Sequence, residues 1–281
     1  MMWNKSTKIE SITQFYFIFV LMNSSKKSLK ITFLGTGTSQ GIPMIASKDP
    51  VCLSTDPKDK RLRSSILFSF DEKNYAIDCG PDFRQQMLRE QIDLIHGVLF
   101  THEHADHVGG LDDLRPYCYQ IGEMPIYLNQ RTLTSLEKRF EYIFSAENRY
   151  PGAPSVQPNI VDKEPFFIDD VEIIPIEVMH GNLPVTVFRI QDFAYLTDVK
   201  SISEEEKKKL KGVKVLVVNA LRIDPHPTHF NLEEALDFVA EINPEITYFT
   251  HISHKLGFHK EVSENLPENV FLAYDGLQIT V

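Results

Sequence analysis

The stretch Thr101-His102-Glu103-His104-Ala105-Asp106-His107-Val108-Gly109-Gly110 places three histidines and two acids within six positions, directly after the apolar run Gly97-Val98-Leu99-Phe100. If that run is a strand, His102 and His104 project to one face because side chains alternate, and Glu103 points away. A turn after His104 then swings Asp106 and His107 toward the same point. Imidazole nitrogen and carboxylate oxygen together suit zinc, manganese or iron, and the lack of cysteine among them argues against a purely structural zinc. The plainer reading is a polar loop that holds histidines by chance. Against it, three of the chain's ten histidines fall in this one window, at the end of an apolar strand, where α/β sheets build their sites.

Working outward, 281 residues with 42% apolar and 11% aromatic content describe an ordinary globular enzyme. Against 29 basic residues stand 39 acidic ones, a net charge of −10, which disfavours a nucleic-acid partner unless a local basic patch compensates. The densest basic cluster, Lys58-Asp59-Lys60-Arg61-Leu62-Arg63, reads as a solvated loop. Cys52, Cys79 and Cys118 are scattered and odd in number, so a reducing compartment, the cytoplasm, is expected. The apolar segment Ile12–Met22 lacks a small-residue cleavage site and is shorter than the about twenty residues a spanning helix needs. Residues 1–28 are expected to be a leader outside the fold, with Met22 as an alternative start, and residues 29–281 a single domain. No membrane partner is expected, and a homodimer is compatible with this composition.

Along the chain, Lys30 to Leu34 reads as a strand, followed by the loop Gly35-Thr36-Gly37-Thr38-Ser39-Gln40-Gly41. The glycine spacing is wrong for a dinucleotide fingerprint, and the loop is expected to line a pocket. Ser64 to Phe70 and Tyr75 to Asp78 form a hairpin pattern, and Asp82 to Glu90 has helical spacing. Asp78 ends a strand beside the metal strand, where its carboxylate either accepts the spare N–H of a ligating histidine or merely caps a turn. Leu111 to Tyr119 and Gln130 to Phe144 read as helices, Pro125 to Leu128 as a strand, and Pro151 to Pro158 as a loop. The second half repeats the alternation, with strands at Val171 to Val178, Val185 to Ile190, Phe193 to Leu196, Val213 to Val218 and Ile246 to Phe249. Ser203 to Glu206 and Asn231 to Glu234 are helix starts, the former opening a solvated face. The fold class expected is α/β, a four-layer αββα sandwich. His180, Asp198 and His251 each follow a strand, and strand ends on one sheet edge converge in space.

These residues together resemble the metallo-β-lactamase superfamily, and within it the PhnP-type phosphoribosyl cyclic phosphodiesterases, more distantly tRNase Z. The resemblance runs from Ile31 to Val281. It rests on Leu34-Gly35-Thr36-Gly37 with Gln40-Gly41-Ile42-Pro43, the metal motif, Leu114-Arg115, Leu196-Thr197-Asp198, His229 ahead of a helix, Thr250-His251-Ile252-Ser253-His254, and Tyr274-Asp275-Gly276. It implies two divalent metal ions, zinc or manganese. One would be held by His102, His104, His180 and Asp198, the other by Asp106, His107, Asp198 and His251, with Asp198 bridging cations about 3.5–4 Å apart. The implied reaction is hydrolysis of a small cyclic or nucleotide-like phosphodiester by a metal-bridging hydroxide. Asp106 and His229 are then the catalytic candidates, His229 beside the substrate phosphate, and Arg115 either a substrate-phosphate contact or the partner of an acid. Relatives of this branch often carry Cys-X-Cys-X-X-Cys after the Gly-Ile-Pro loop, a structural zinc site completed by the histidine of Ile-Ser-His. Here Ser47, Asp49 and Cys52 occupy those positions, so with Cys52 and His254 alone that site is expected to be absent or weakened, and the loop Ile45 to Lys60 held by packing. Two rival readings remain: a thioester or other carbonyl hydrolase of the glyoxalase II or lactamase kind on the same fold, and a metal-binding protein without turnover.

Overall fold

Parallel strands end on a common edge, and both sheets of this protein use that property to aim polar residues at one rim. The computed structural model describes residues 26–145 and 151–281. One sheet has the order β15-β1-β2-β3-β4-β5-β6, from β1 (Lys30–Gly35), β2 (Ser65–Phe70), β3 (Lys73–Ile77), β4 (Gly97–Leu99), β5 (Met124–Leu128), β6 (Val156–Ile160) and β15 (Gln278–Thr280). The other has the order β11-β8-β9-β10-β12-β13-β14, with β7 beside β8. Its members are β7 (Phe166–Ile168), β8 (Val171–His180), β9 (Leu183–Ile190), β10 (Phe193–Leu196), β11 (Ser201–Ile202), β12 (Val215–Asn219), β13 (Ile246–Thr250) and β14 (Val270–Leu272). In the first sheet β3 to β6 run parallel; in the second β10, β12, β13 and β14 do.

Side-chain alternation builds the layers. In β10, Phe193 and Tyr195 join the cluster between the sheets, with Phe33, Phe68, Ile77, Leu99, Phe188 and Val217, while Ala194 and Leu196 join an outer cluster with Ala235 and Phe238 of the helix Leu232–Ile242. On the other outer face Leu34, Ala76, Val98 and Ile126 pack with Phe83 and Met87 of the helix Phe83–Glu90 and with Leu133 and Leu136 of the helix Gln130–Arg139. Helices therefore cover both outer faces, and the architecture is the αββα sandwich. Strands buried on both sides read as continuous apolar runs such as Val215-Leu216-Val217-Val218. Each large side chain buried there contributes about 1.5–3 kcal/mol.

Some local expectations change. The loop expected through Pro158 is instead strand β6, in which Pro158 pairs with Ile126; β6 is an edge strand, where a missing N–H leaves no ladder bond unmade. The helix expected over 130–144 breaks at Phe140, whose φ of −122° and ψ of 42° are not helical. Between Leu111 and Tyr119 the chain makes a tight 3-10 turn, Leu111–Leu114, before the helix Arg115–Ile121, whose first turn carries Pro116. Glu206, expected on a solvated face, is buried and accepts the Glu177 N–H at 2.8 Å. Of the leader expected over residues 1–28, residues 1–25 lie outside the described residues. Lys26 pairs with Asp192, and Lys27 with Asp71 and Asp170, so contacts with the fold begin before Leu29. Among the described residues no helix is long and apolar enough to cross a membrane.

Packing and hydrogen bonds hold the loop from Ile45 to Lys60. Asp59 is buried and accepts from the Ser54 hydroxyl and the His259 N–H, Lys60 Nζ donates to the Cys52 carbonyl, and Cys52 itself packs in the cluster of Ile42, Val51, Ile252 and Leu256.

Candidate metal centre

Three strand ends carry the centre in strained backbone. Asp78 follows β3, Asp198 follows β10 by two residues and His251 follows β13, and all three have left-handed φ, at 65°, 64° and 55°. Non-glycine residues in that region cost of order 1–3 kcal/mol each and concentrate at functional sites. The turn after β4 supplies the rest: His102 and His104 precede the helical turn Ala105–Val108, which carries Asp106 and His107. That turn is packed backbone to backbone on the residues after Asp78. A Cβ on Gly80 would stand 2.1 Å from the Asp106 carbonyl oxygen, and one on Gly110 would stand 2.2 Å from that of Gly80, so no larger residue fits at either place.

Everything converges on Asp198. Its Oδ2 lies 3.5 Å from His102 Nε2, 3.4 Å from His107 Nε2 and 3.5 Å from His229 Nε2, and its Oδ1 lies 3.1 Å from His251 Nδ1. Asp106 Oδ2 is 3.2 Å from His107 Nε2, and His104 Nδ1 is 2.9 Å from His102 Nε2. Among the described residues, three donor groups have mutual spacings suited to an ion, and all include Asp198: Asp106, His107, Asp198 and His251; His102, His104 and Asp198; His180, Asp198 and His229. The second set expected from the sequence is thus brought together complete. In the first, His180 lies with its ring 5.2 Å from that of His104 and 4.4 Å from that of His229, and its donor atom groups with Asp198 and His229.

Hydrogen bonds fix which nitrogen each histidine offers. His180 Nδ1 donates to the Thr228 carbonyl at 2.8 Å, leaving Nε2 bare. His107 Nδ1 donates to Asp78 Oδ2 at 2.6 Å, leaving its Nε2 bare as well. Asp78 also accepts from the Thr101 N–H and hydroxyl, and that hydroxyl lies 3.0 Å from His102 Nδ1. One buried carboxylate therefore orients His107 directly, the first of the two roles the sequence left open for Asp78, and His102 through Thr101, a link the sequence did not show. Asp78→Asn is expected to weaken metal binding about 10–100-fold, measured by competition with a chelating dye; unchanged affinity would remove Asp78 from this role.

The donors fit cations. His107 Nε2, His229 Nε2 and His251 Nδ1 are buried without a hydrogen-bond partner and face the Asp198 carboxylate. Nitrogen opposite carboxylate oxygen at these distances calls for a positive charge between them, a metal ion or a proton. Burial holds His102 well below the ordinary imidazole value and His251 down to about 4, keeping both in the neutral, ligating form. Burial also opposes a charge on His107, but Asp106, Asp198 and Asp78 outweigh it and raise that group well above its usual value. For Asp198 burial is likewise outweighed, by His251 and His107, and the group is held well below the carboxylate range.

A pocket of ≈ 240 Å³ opens beside the centre. It is lined by Thr38, Ser39 and Gln40 on one side and by Arg222, His226 and Lys255 among others on the other, with His229 at its inner end and no carboxylate in its wall. Burial, then His229 and Arg222, hold His226 down to about 4, so the charge near neutrality comes from Arg222 and Lys255. Of the two readings of Arg115, the structure shows pairing with an acid: it is turned to Asp112, donating from Nη2 to both carboxylate oxygens at 2.6 and 2.7 Å; the two sit three apart, a spacing that brings side chains together on a helical turn. Arg222 was missed by the sequence reading, although it follows β12 at the rim that supplies Asp198 and His251.

A family model described as the beta-lactamase superfamily domain matches residues 73–252, from β3 through His251. The chain belongs to the metallo-β-lactamase superfamily. A solved diphosphatase of the PhnP family superposes with a TM-score of 0.84 at 39% identity, covering 89% of this chain and 97% of that one, and this member of the superfamily falls with that family. A Porphyromonas gingivalis protein named octanoyltransferase is 42% identical over 261 residues, 90% of this chain and 52% of that protein. Ribonuclease Z of Methanocaldococcus jannaschii is 27% identical over 198 residues, 66% of this chain and 53% of that protein. The chain spans about half the length of these curated relatives. A diphosphatase and a nuclease, both hydrolases, are thus among its relatives.

Proposed function

We propose that the protein is a two-metal phosphodiesterase that cleaves a small, anionic, cyclic or nucleotide-like phosphodiester. The observation that carries this reading is the pocket walled by Arg222 and Lys255 without a carboxylate, at the door of an acid-and-imidazole metal centre. In a chain of net charge −10, a local excess of fixed positive charge beside the site favours an anionic substrate.

Asp106, His107 and His251 would hold one ion, His102 and His104 the other, and Asp198 would be shared between them. Cations bound there supply an acidified water and neutralise the charge that gathers on phosphorus oxygens during displacement. The remaining work falls to the chain. Arg222 and Lys255 draw in and orient the phosphodiester, Arg by its planar fork and Lys as a point charge. His229 Nε2 faces the centre from the pocket's inner end, where it meets a phosphoryl oxygen or gives its proton to the departing alkoxide. Its Nδ1 is steadied by the Thr228 hydroxyl at 3.0 Å and His226 Nδ1 at 3.2 Å.

A second reading, attack on an acyl thioester, draws support from one observation, the name octanoyltransferase on the Porphyromonas relative, twice as long as the matched region. The test is a panel with manganese or zinc added: bis-p-nitrophenyl phosphate, 2′,3′-cyclic nucleotides, a phosphoribosyl cyclic phosphate, S-lactoylglutathione, an S-octanoyl thioester and nitrocefin. Turnover is expected on the phosphate esters; turnover confined to the last three compounds overturns the proposal. Arg222→Gln and Lys255→Gln are each expected to raise KM for the cyclic phosphates about tenfold, the loss of one charge-assisted contact, with kcat nearly unchanged. Equal KM values in variant and wild type would take the pocket out of substrate binding.

A further inference from the structure

Glu103 sits between two ligand histidines and serves neither ion. Its side chain turns to the helix Gln130–Arg139, where Arg131 Nε donates to Oε1 at 2.8 Å, and Arg139 Nη1 of the same helix donates to the Glu103 backbone oxygen at 2.6 Å. The start of this helix is tied to the same segment by another route. Asn129, whose side chain caps the helix through the Thr132 N–H, donates from Nδ2 to Thr186 Oγ1 at 3.0 Å, and the Thr186 N–H donates to the Thr101 carbonyl at 3.1 Å. Glu103 is therefore braced directly by this helix, and Thr101 by Thr186 of β9, whose hydroxyl the helix's cap residue holds. Beyond the Asp78 contact that His107 shares with Thr101, Asp106 and His107 rest on the residues after β3, with the Cys79 N–H donating to the His107 carbonyl and the Gly110 N–H to the Cys79 carbonyl, both at 2.8 Å.

We infer that Arg131 and Arg139 are positioning residues for the His102/His104 half of the metal centre, acting through Glu103, so that this half has a support of its own beside the Asp78 link that the two halves share. The ordinary expectation for exposed arginine pairs is a contribution near zero. Here the partner differs. The Glu103 side chain is only 13% exposed and its Oε2 is buried with no hydrogen-bond partner. Removing Arg131 leaves a largely buried carboxylate without its counter-charge, a situation that side chains relieve by moving. In a three-residue segment, movement of Glu103 tilts the backbone that carries both imidazoles. Removing Arg139 frees the carbonyl midway between them, with the same result.

The inference rests on the metal centre and not on the phosphodiesterase reading, and a binding readout keeps the two apart. Full-length protein stripped of metal is titrated with cobalt(II), following heat and the visible spectrum. The wild type is expected to fill in two resolved steps. Arg131→Ala/Arg139→Ala is expected to weaken one step about 10–100-fold, the usual effect of losing support behind a ligand, and leave the other in place. Arg139→Lys, which still reaches the carbonyl, should recover most of the loss. On a His102→Ala background Arg139→Ala should add nothing to the remaining step, since uncoupled changes do not interact. The inference is overturned by two unchanged steps, by two steps that fall alike, or by a wild type that takes a single ion. Circular dichroism melts identify loss of folding separately, and the milder Arg131→Gln variant carries the same expectation should the double variant unfold.

Discussion

Asp198→Ala is expected to strip the protein of both ions and of its hydrolytic activity, the largest effect of any single substitution. Each donor group in the centre includes Asp198, and four imidazoles lie within 3.5 Å of its two oxygens. Without that carboxylate, His102, His107, His229 and His251 face one another across a buried gap in which, among the described residues, Asp106 to one side is the one donor carboxylate left to balance a cation. Removing one partner from a buried charge cluster costs about 3–5 kcal/mol, which is an affinity loss of about 10²–10³-fold or more for each ion. Metal content after gel filtration and kcat/KM at saturating metal check this directly. Asp198→Asn preserves shape and removes charge, so it should bind metal nearly as poorly; a variant that keeps both ions and turns over within tenfold of wild type would mean that Asp198 does not bridge.

His229→Ala is expected to do the opposite with metal and nearly the same with rate. The structure makes this the sharper test, because His229 Nε2 stands as far from Asp198 Oδ2 as His102 Nε2 does, 3.5 Å, and shares a donor group with His180. One feature sets it apart from the ligands: it lines the pocket that opens toward solvent. A group in that position handles protons on the substrate, and such groups contribute about 10²–10⁴-fold to rate. The expected result is full metal content with kcat reduced by about that factor and KM little changed. Loss of an ion in His229→Ala would make the residue a ligand and leave the proton on the departing oxygen without a donor.

The centre was legible in the sequence to the extent that strand ends are. His102, His104, Asp106, His107, His180, Asp198 and His251 all follow apolar runs, and a sheet whose parallel strands finish on one edge had to bring such residues together. What sequence spacing did not carry was the partition among them. Whether His180 sides with His102 or with His229 depends on the path of the 221–230 loop, where the Thr228 carbonyl takes the His180 proton. Arg115 and Arg222 show the same limit from the other side. The sequence left Arg115 between a phosphate and an acid, and the acid three residues away claims it, while Arg222, more than a hundred positions downstream, reaches the pocket because β12 ends there. Pro158 in β6 misled because a proline argues against a strand only where the strand has neighbours on both sides.

The left-handed backbone at Asp78, Asp198 and His251 bears on how this chain would respond to change. Those are positions at which the backbone alone is more comfortable with glycine or asparagine, so the fold and the metal centre want different residues there. A glycine at any of the three relaxes the main chain but removes a donor or its support and leaves buried partners unpaired, so the strain cannot be relieved there without loosening the centre. Stability screens on this protein thus need a metal or turnover readout beside the melting curve, since ease of the backbone and hold on a metal pull against each other at these three sites.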